Sequence, residues 1–578
     1  MGRDRLPSRA VSLAIVCIAL TACAPSPARS GTSAASGSAA STAAATTPSR
    51  VTVAIGGDAT NLASKLDVTG GVFNSDFKFM TNSPLVVQDP KGNARPLLAA
   101  EIPSRDNGTW VVNTDGTMVT TWKIRPNAFW HDGAPVVSSD VVFAFKVYMD
   151  DAIAVSTRDP ERLVDRVEAL DEKTFNVYWK QVYPNANRLG LGQLEPLPEH
   201  IVGTIYEADR EAFQNASFWT STSFVGDGPY RLADWDKGVQ LVYRAFDQFF
   251  LGKPQIDEVT LRIIADMNTV VSNVLSGTVD TTVAVTLNHQ AGATVKQQWE
   301  KSGEGQVAST PTYWRNMQIQ HDPNRAKQPG LQDRRVRQAL VYGIDRASIA
   351  EVVTAGASPA ADSIIPPNDP RFDTVQRSIA RYPFDRNRAA ALLAEAGYPR
   401  SGDTLMTPGG QPFGLEIWTS QVSDNETEMS LVAADYTALG MQMVQSVIPI
   451  ARNADREFRA EFPGLNITAT SIDIPNALID LTDDRCPRPE NRFAGSNRGC
   501  WSNPEFETFF RVANTALDDR ERDDALVQAL RVLTEDVGTI PMSYNMEIIP
   551  VRKGLVGPAP RWPQQPGNTW NVFEWRWS

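Results

Sequence analysis

Strand-like and helix-like segments alternate through the body of this 578-residue chain, and no internal repeat of about 20–50 residues is visible. Residues 240–244 and 258–264 predict strands, because apolar side chains recur at every second position of the latter. Residues 333–351, 385–396 and 518–537 predict amphipathic helices. Asp385 and Gly397 are suited to begin and end the second helix. This alternation indicates α/β or α+β lobes and argues against solenoids and propellers.

The first 22 residues have the layout of a secretory signal peptide. Arginines precede an apolar run at residues 10–22, which is too short to span a bilayer. The run ends in Leu-Thr-Ala-Cys, which resembles a bacterial lipobox, so Cys23 is the expected lipidation site; plain secretion with an incidental Cys23 is the alternative. Residues 23–50 are rich in Ala, Ser and Thr and predict a lipid anchor with a flexible linker. No later stretch predicts a transmembrane helix.

The charge and the cysteine content of the chain limit which partners it can bind and indicate the compartment in which it folds. The net charge of −12 makes nucleic acid a poor partner, since such binding needs clustered Lys and Arg. Cys17 lies in the signal segment and Cys23 would carry lipid, which leaves Cys486 and Cys500 in an oxidising compartment. One disulfide between them is the simplest expectation. A thiol metal site is the alternative, although no histidine is near either cysteine.

Motifs for catalysis are absent from the sequence. It contains no P-loop, no dinucleotide-binding glycine pattern and no nucleophile elbow. The four histidines are far apart and form no metal-binding spacing. Abundant Asp and Glu leave a glycosidase-type acid/base pair open, but no spacing selects one. We therefore predict no catalytic residue, no metal site and no cofactor.

Aromatic residues are the first candidates for ligand contact. The chain has 14 Trp and 12 Tyr, and such side chains offer flat apolar surfaces with a polar tip. Tyr313, Trp314, Trp418 and Trp501 stand beside other aromatics, Gly or Pro, or in otherwise polar surroundings. We expect these four to line water-filled side pockets of a binding cleft. Core packing is the alternative for each of them.

Several short segments form an ordered series along the chain. The clearest are V-R-Q-A-L followed by G-I-D-R at 336–346, and Y-P-F-D with L-L-A-E-A-G-Y at 382–398. The others are residues 95–101, 122–133, 140–143, 226–230, 252–257 and 277–280. In this order the segments resemble the family 5 solute-binding proteins of ATP-binding cassette importers, the peptide and oligopeptide binders. The segment G-D-G-P-Y departs from the family's G-T-G-P-Y because Asp227 replaces Thr.

The resemblance implies an α/β, two-lobed fold of the periplasmic-binding-protein type, of type II and of the large cluster with an extra inserted domain. Lobe I is expected to comprise residues 51–75, 221–310 and 541–578. The inserted domain of lobe I would be 76–220, and lobe II would be 311–540. The chain would cross the hinge near 310 and near 540, with the ligand cleft between the lobes.

The same resemblance implies a function in transport and not in catalysis. The protein would be a monomer, held outside the cytoplasm on the bacterial cell membrane through Cys23, that captures an oligopeptide or similar solute. It would deliver the solute to an ABC-type permease and its separate ATPases, which would explain the missing P-loop. An oligosaccharide or glycolipid ligand is the first alternative, because Trp faces stack on sugars. A cell-envelope hydrolase or a structural lipoprotein is the second.

Two positions bear on how a peptide would be recognised. In oligopeptide binders of this family, a carboxylate in a segment like A-D-Y-x-x-P pairs with the peptide's α-ammonium. Residues 470–475 read T-S-I-D-I-P and place Ser471 at that position, with Asp473 two residues later on the same face of a strand. Asp473 could replace the missing carboxylate, or the ligand could lack an amine. The charged loop between residues 480 and 501 is expected to shape the ligand opening, with a surface excursion as the alternative.

Overall fold

The computed structural model describes most of the chain. The described residues are 49–68, 73–283 and 286–578. The predicted signal peptide, the lipidation site Cys23 and almost all of the predicted linker at residues 23–50 lie outside them. Within the described ranges, no helix has both the length and the apolar character needed to cross a bilayer.

Strands and helices alternate along the chain as the pattern indicates. The strands of the described part are β1 (Arg50–Ile55), β2 (Val86–Gln88), β3 (Ala94–Pro96), β4 (Trp110–Val112), β5 (Met118–Lys123), β6 (Val164–Ala169), β7 (Thr174–Trp179), β8 (Tyr230–Asp236), β9 (Gln240–Ala245), β10 (Glu258–Ile263), β11 (Thr281–Thr282), β12 (Gly305–Ile319), β13 (Arg400–Ser401), β14 (Thr404–Leu405), β15 (Gly414–Ser420), β16 (Gln442–Ile448), β17 (Leu465–Ser471), β18 (Thr539–Arg552), β19 (Leu555–Val556) and β20 (Arg576–Trp577). The α-helices of the same part are α1 (Asn74–Thr81), α2 (Ser138–Met149), α3 (Glu199–Ala208), α4 (Arg210–Gln214), α5 (Met267–Leu275), α6 (His289–Ser302), α7 (Arg334–Tyr342), α8 (Arg346–Val353), α9 (Phe372–Ser378), α10 (Arg386–Glu395), α11 (Ser423–Ala438), α12 (Arg456–Ala460), α13 (Pro504–Thr515) and α14 (Asp519–Asp536).

A ten-stranded sheet is shared between two lobes. Its order is β16-β15-β17-β12-β18-β11-β1-β10-β9-β8, and the long strands β12 and β18 pair antiparallel at its centre. The second half of β12, from Tyr313 to Ile319, pairs with β17 as well as with β18. At the other end of β18, Val551 pairs with Thr281 of β11. The strands β12 and β18 therefore run from one lobe into the other.

The hydrogen-bonded ladder between β12 and β18 is irregular at the point where β12 begins to pair with β17 as well. Its register shifts between Pro311 and Tyr313, opposite Met546 and Asn545. The predicted crossing near residue 310 lies beside this irregularity, whereas the predicted crossing near 540 lies several residues before it, at the start of β18. The domain boundaries stay a prediction, and the strand pairing extends the second lobe along β18 to about Asn545.

Each part of the fold has its own hydrophobic core. In lobe I, buried side chains of β1, β9 and β10 pack together, among them Val53, Tyr243 and Leu261. In lobe II, Leu340 of α7 and Ile417 of β15 belong to the corresponding core. Each lobe therefore has a hydrophobic core of its own, and β12 and β18 connect the two.

The expected inserted domain, residues 76–220, contains a four-stranded antiparallel sheet, β4-β5-β7-β6. Its core contains Trp122, Trp130 and Trp179, all of them buried. The helix α2 joins this domain to lobe I, because its residues Phe143 and Val147 lie in the lobe I core. The inserted domain is therefore anchored on lobe I.

Most of the predicted elements are confirmed. The strands β9 and β10 and the helices α10 and α14 lie where the sequence places them. The Asp385 side chain accepts a hydrogen bond from the N–H of Arg388 at the start of α10, and Gly397 has a left-handed φ of 89° just after its end. The expected single helix over 333–351 is wrong: α7 and α8 are separate, because Asp345 caps a new helix by accepting from the N–H of Ser348.

Candidate functional site

Two adjoining cavities lie between lobe II, the inserted domain and the C-terminal segment that follows β18. Their volumes are about 280 and 230 Å³, and they share Asn185, Arg188 and Gln564. The larger is lined also by Lys91, Gly92, Asn93, Pro370, Arg371, Ile474, Pro475, Ala513, Asp519, Arg522, Asp523, Leu526 and Trp562. The smaller is lined also by Val86, Gln88, Tyr183, Gly190, Leu191, Gln193, Asp473, Asn476, Gln565 and Pro566. We call the two together the interlobe cavity.

The C-terminal segment contacts lobe II directly at this cavity. The Gln564 side-chain amide donates a hydrogen bond to the carbonyl oxygen of Ile474 at 2.5 Å. Ile474 follows β17 in lobe II, whereas Gln564 follows the strand that leads back into lobe I. The contact closes one wall of the cavity, so that a bound molecule would touch both lobes.

Asp473 places a carboxylate in the interlobe cavity. It follows the end of β17, and its only hydrogen bond from a described side chain is donated by the Asn476 amide at 3.2 Å. Burial raises the pKa of this carboxyl above its usual value, and the Asn476 hydrogen bond opposes that shift. No lysine or arginine of the described residues pairs with it. A carboxylate held in this way has room for a cationic partner.

Arg188 places a guanidinium in the same cavity, and the sequence contained no signal for it. It lies in a loop of the inserted domain, where its N–H donates to the carbonyl oxygen of Asn185. Burial lowers the pKa of Arg188, and Asp519 opposes the shift through its charge. Asp519 is itself paired with Arg522, and Asp523 with Arg371. Over the described ranges, Arg188 forms no ion pair of its own.

The aromatic residues expected to line the cleft lie elsewhere. Trp314 is 2% exposed and belongs to a second core of lobe II, distinct from that of Leu340 and Ile417. Trp501 is equally buried in that core, and its indole N–H donates to Asp536 at 2.7 Å. The indole of Trp418 donates to Glu416 and packs on Phe458, with ring centroids 4.9 Å apart. The structure corrects the expectation for these three tryptophans.

Tyr313 and Ser471 lie next to each other on paired strands, but neither lines the interlobe cavity. Tyr313 is 39% exposed, and its backbone is opposite Ser471 at the end of β17. Asp473, two residues further along, is the member of the predicted set that reaches the cavity. The structure therefore favours Asp473 over Ser471 as a contact for a ligand.

The charged loop at residues 480–501 packs against lobe II. Cys486 and Cys500 form a disulfide across it. The His321 N–H donates to the carbonyl oxygen of Gly499, and Arg325 donates to that of Pro487. None of the residues that line the interlobe cavity comes from this loop. The geometry supports the surface-excursion alternative and not a role in shaping the ligand opening.

A larger groove of about 720 Å³ lies on lobe II, away from the interlobe cavity. Its one carboxylate, Glu416, is fully engaged: Lys327 forms an ion pair with it at 3.0 Å, and Trp418 and Ser446 donate hydrogen bonds to it. These contacts lower the pKa of Glu416 although burial opposes them. We call this the outer groove.

Comparison with known proteins identifies the class of protein to which this fold belongs. The family described as bacterial extracellular solute-binding proteins, family 5 Middle, matches residues 94–478, about two thirds of the chain. The chain belongs to this family. Its two-lobed architecture with a large central sheet is shared by the solved structures that resemble it.

Individual relatives are distant in sequence. The oligopeptide-binding protein AppA of Bacillus subtilis is 24% identical over 63% of this chain, and the match covers 62% of that protein, about three fifths of its length. The dipeptide-binding protein of Escherichia coli is 24% identical over 78% of this chain and 82% of that protein. The oligopeptide-binding protein of Thermus thermophilus, solved with a pentapeptide, has a TM-score of 0.67 at 23% identity and covers 91% of this chain and 96% of that one.

Proposed function

We propose that this protein captures a short oligopeptide between its two lobes, outside the cytoplasm, and delivers it to an ABC-type permease. One observation carries the proposal: a carboxylate on Asp473 and a guanidinium on Arg188 line the same cavity without ion-pair partners among the described residues. The relatives named for oligopeptides and dipeptides support the same ligand class.

The charges of the cavity suit a ligand with two oppositely charged ends. An unpaired, partly desolvated charge is costly, and an opposite charge with good geometry removes much of that cost. A peptide offers an ammonium group for Asp473 and a carboxylate for Arg188. Because the cavity is formed by both lobes, such a ligand would bind the closed form more tightly than the open form and shift the population toward closure.

The rest of the lining suits a peptide backbone. Amide side chains, which both donate and accept hydrogen bonds, surround the smaller chamber. They are Gln88, Asn185, Gln193, Asn476, Gln564 and Gln565. The two chambers, of about 280 and 230 Å³, together fall in the lower half of the range for ligand pockets of about 300–1,000 Å³, which favours a short peptide.

An oligosaccharide is the second candidate, supported by one feature of the same cavity. Amide groups also bind sugar hydroxyls, and Trp562 contributes an aromatic face to the larger chamber. Trp418, a candidate for stacking on a sugar, packs on Phe458. The two unpaired charges favour the peptide, because a neutral sugar would leave both without a partner.

Isothermal titration with end-blocked peptides tests the proposal. A mixture of di- to pentapeptides with free ends should bind, whereas N-acetylated, C-amidated versions should bind at least tenfold more weakly, because each blocked end leaves one buried charge unpaired. Neutral oligosaccharides form the second arm. Equal affinity for free and blocked peptides, or binding of sugars alone, would refute the peptide assignment; chemical turnover of a bound peptide would favour the hydrolase alternative.

The proposed anchor on Cys23 has its own test. Metabolic labelling with a radioactive or clickable fatty acid should label the full-length protein, and the variant Cys23→Ser should lose the label and leave the membrane fraction. Retention of label in C23S would exclude this residue as the lipidation site.

A further inference from the structure

One loop of the C-terminal segment contacts several parts of the fold at the interlobe cavity. We call residues 561–566 the lining loop, because they contribute side chains to both chambers. These side chains are Trp562, Gln564, Gln565 and Pro566. Gln564 donates to the carbonyl oxygen of Ile474 in lobe II, and the Gln565 side chain accepts from the N–H of Gln88 in the expected inserted domain at 2.7 Å. The conformation of this loop therefore decides the shape of the cavity.

The side chain of Arg561 holds the lining loop in its conformation. Its guanidinium donates to the carbonyl oxygens of Pro563 at 3.2 Å and of Gln565 at 2.7 Å. The N–H of Gln565 closes the turn by donating to the carbonyl oxygen of Trp562 at 2.8 Å. A guanidinium has five N–H donors in a fixed plane, so one arginine can hold two backbone carbonyls and a carboxylate at the same time.

Glu547 supplies that carboxylate from a strand that joins the two lobes. It lies on β18, is 3% exposed, and pairs through Oε2 with Nε of Arg561 at 2.7 Å. In the ladder it lies opposite Thr310 of β12, whose hydroxyl donates to the carbonyl oxygen of Arg561 at 3.2 Å. The base of the lining loop is therefore fixed to both β12 and β18, next to the point where their register shifts.

The chain just beyond the lining loop is fixed separately, by Asp76 of α1. Its carboxyl group accepts hydrogen bonds from the N–H groups of Asn568 and Thr569, at 2.5 and 3.1 Å. Burial, and then the charge of Glu547, raise the pKa of Asp76 to about 7, which places the two acids close together. In the described ranges, Arg561 is the cation that forms an ion pair with Glu547. Without it, the buried Glu547 would lose its partner.

We propose that Glu547 and Arg561 are positioning residues for the ligand, because they hold the lining loop where Trp562 and Gln564 can contact it. This inference rests on the proposed function, in which the ligand is a short peptide in the interlobe cavity. Neither Glu547 nor Arg561 lines the cavity, so their effect on the ligand passes through the loop. A loop that is not held in advance must be ordered during binding, and this cost lowers the affinity.

Peptide titration of Glu547→Gln and Arg561→Lys tests the role. Glu547→Gln removes the charge at nearly constant shape, and Arg561→Lys keeps the charge but lacks the planar set of donors. In each variant, the apparent Kd for a mixture of di- to pentapeptides with free ends should rise about tenfold. Equal Kd in wild type and both variants would overturn the inference. If E547Q does not fold, R561K decides the question, because its buried carboxylate keeps a cationic partner.

Asp280→Asn is the matched control for these variants. Asp280 pairs with Arg552, a residue of the same strand as Glu547, at 3.2 Å, and neither residue of this pair lines the interlobe cavity. The control therefore weakens an ion pair of β18 without touching the lining loop, and its peptide Kd should equal that of wild type. A loss in D280N as large as that in E547Q would assign the effect to the strand and not to the loop.

A double-mutant cycle separates positioning from a general effect on the fold. Gln564→Ala removes a loop side chain that lines both chambers. If Glu547 acts through the loop, E547Q should weaken binding by about threefold or less in the Q564A background, and by the full factor of about ten in the Arg188→Met background. Equal factors in the two backgrounds would refute the positioning role, since an effect on the whole fold would not depend on Gln564.

Hydrogen exchange of the ligand-free protein gives a measurement that does not depend on any peptide. In E547Q and R561K, backbone amides of the lining loop, that of Gln565 among them, should exchange about tenfold faster than in wild type, and in D280N they should not change. Unchanged exchange would show that the pair does not hold the loop. Faster exchange with an unchanged peptide Kd would refute the positioning role and leave the proposed function intact, whereas a wild type that binds no peptide would overturn both.

Discussion

The interlobe cavity and the outer groove of lobe II differ in size and in how their charges are satisfied. The outer groove is the larger, at about 720 Å³ against about 280 and 230 Å³ for the two chambers between the lobes. In the groove, Glu416 has a lysine and two hydrogen-bond donors. In the cavity, Asp473 and Arg188 have no ion-pair partner among the described residues.

On the proposed assignment of the interlobe cavity, volume alone does not identify the binding site. A surface groove with satisfied polar groups gains little from a charged ligand, whereas unpaired, partly buried charges are relieved by one. The cavity is also formed by both lobes, so its occupant can couple binding to closure. The outer groove belongs to one lobe and has no such coupling.

The largest expected effect is the loss of peptide binding in Asp473→Asn. Removing one partner of a buried, hydrogen-bonded charge pair costs about 2–5 kcal/mol, so Kd for a peptide with a free amino terminus should rise roughly 100-fold or more. The matched change in the outer groove, Glu416→Gln, should leave Kd unchanged. Isothermal titration of both variants measures the contrast. Comparable losses of peptide affinity in the two variants would show that the interlobe cavity and the outer groove do not differ in peptide binding.

Reduction of the disulfide should affect stability alone. The bond between Cys486 and Cys500 closes a loop with a sequence separation of 14. In the chain-entropy model, a loop of this size contributes about 3 kcal/mol to the free energy of unfolding. The double variant Cys486→Ser/Cys500→Ser should show that loss in denaturant titration, with the same peptide affinity as wild type. Weaker peptide binding in the folded double variant would restore a role for this loop at the ligand opening.

Arg188→Met should weaken the binding of free peptides at least about tenfold, because a cation–carboxylate hydrogen bond contributes about 1.5–3 kcal/mol. The variant should lose little for C-amidated peptides, which have no carboxylate to pair. Titration of wild type and variant with both peptide forms gives a double-mutant cycle. Additive effects of the substitution and of amidation would show that Arg188 and the peptide carboxylate do not interact.

The smallest expected effect is a pH dependence with opposite signs for binding and stability. Burial raises the pKa of Asp473. As pH falls through that raised value, the carboxylate becomes neutral and peptide affinity should fall, at a pH above the range of an ordinary Asp, about 3.9. The ligand-free fold should gain stability from this group over the same window, since the buried charged form is disfavoured.

Calorimetry and thermal unfolding between pH 4 and 7, a window set by the ordinary carboxyl range, would show both trends. The variant D473N should lose both of them while the remaining pH dependence of the protein persists. An identical profile in wild type and D473N would assign the titration to another group.

Local features of the structure could be predicted well from the sequence. A period-two pattern placed β10, capping residues placed α10, and an amphipathic pattern placed α14, because these signals act between residues close in the chain. The ordered motifs led to the family and its two-lobed fold. The broken helix at residues 343–345 was missed, since an aspartate can cap a new helix inside an unbroken apolar stripe.

The candidate site could be predicted only in part. Asp473 was found because its segment aligns with a family motif, while Arg188 stands in a loop without any pattern. Trp314 and Tyr313 are adjacent in sequence, yet only Tyr313 is substantially exposed. The side of the sheet that each side chain faces depends on how the strand packs, and an aromatic residue gives the same sequence signal in a core and in a cleft.

The sequence by itself determined the class of the protein, its alternating elements and the cysteine pair available for a disulfide, because each depends on local pattern or composition. Only the tertiary structure decided which charges meet. Arg188, Asp473 and Gln564 converge on one cavity from three segments far apart in the chain. Such convergence depends on how the domains pack together. A charged side chain that is buried without an ion-pair partner is then available to bind a ligand.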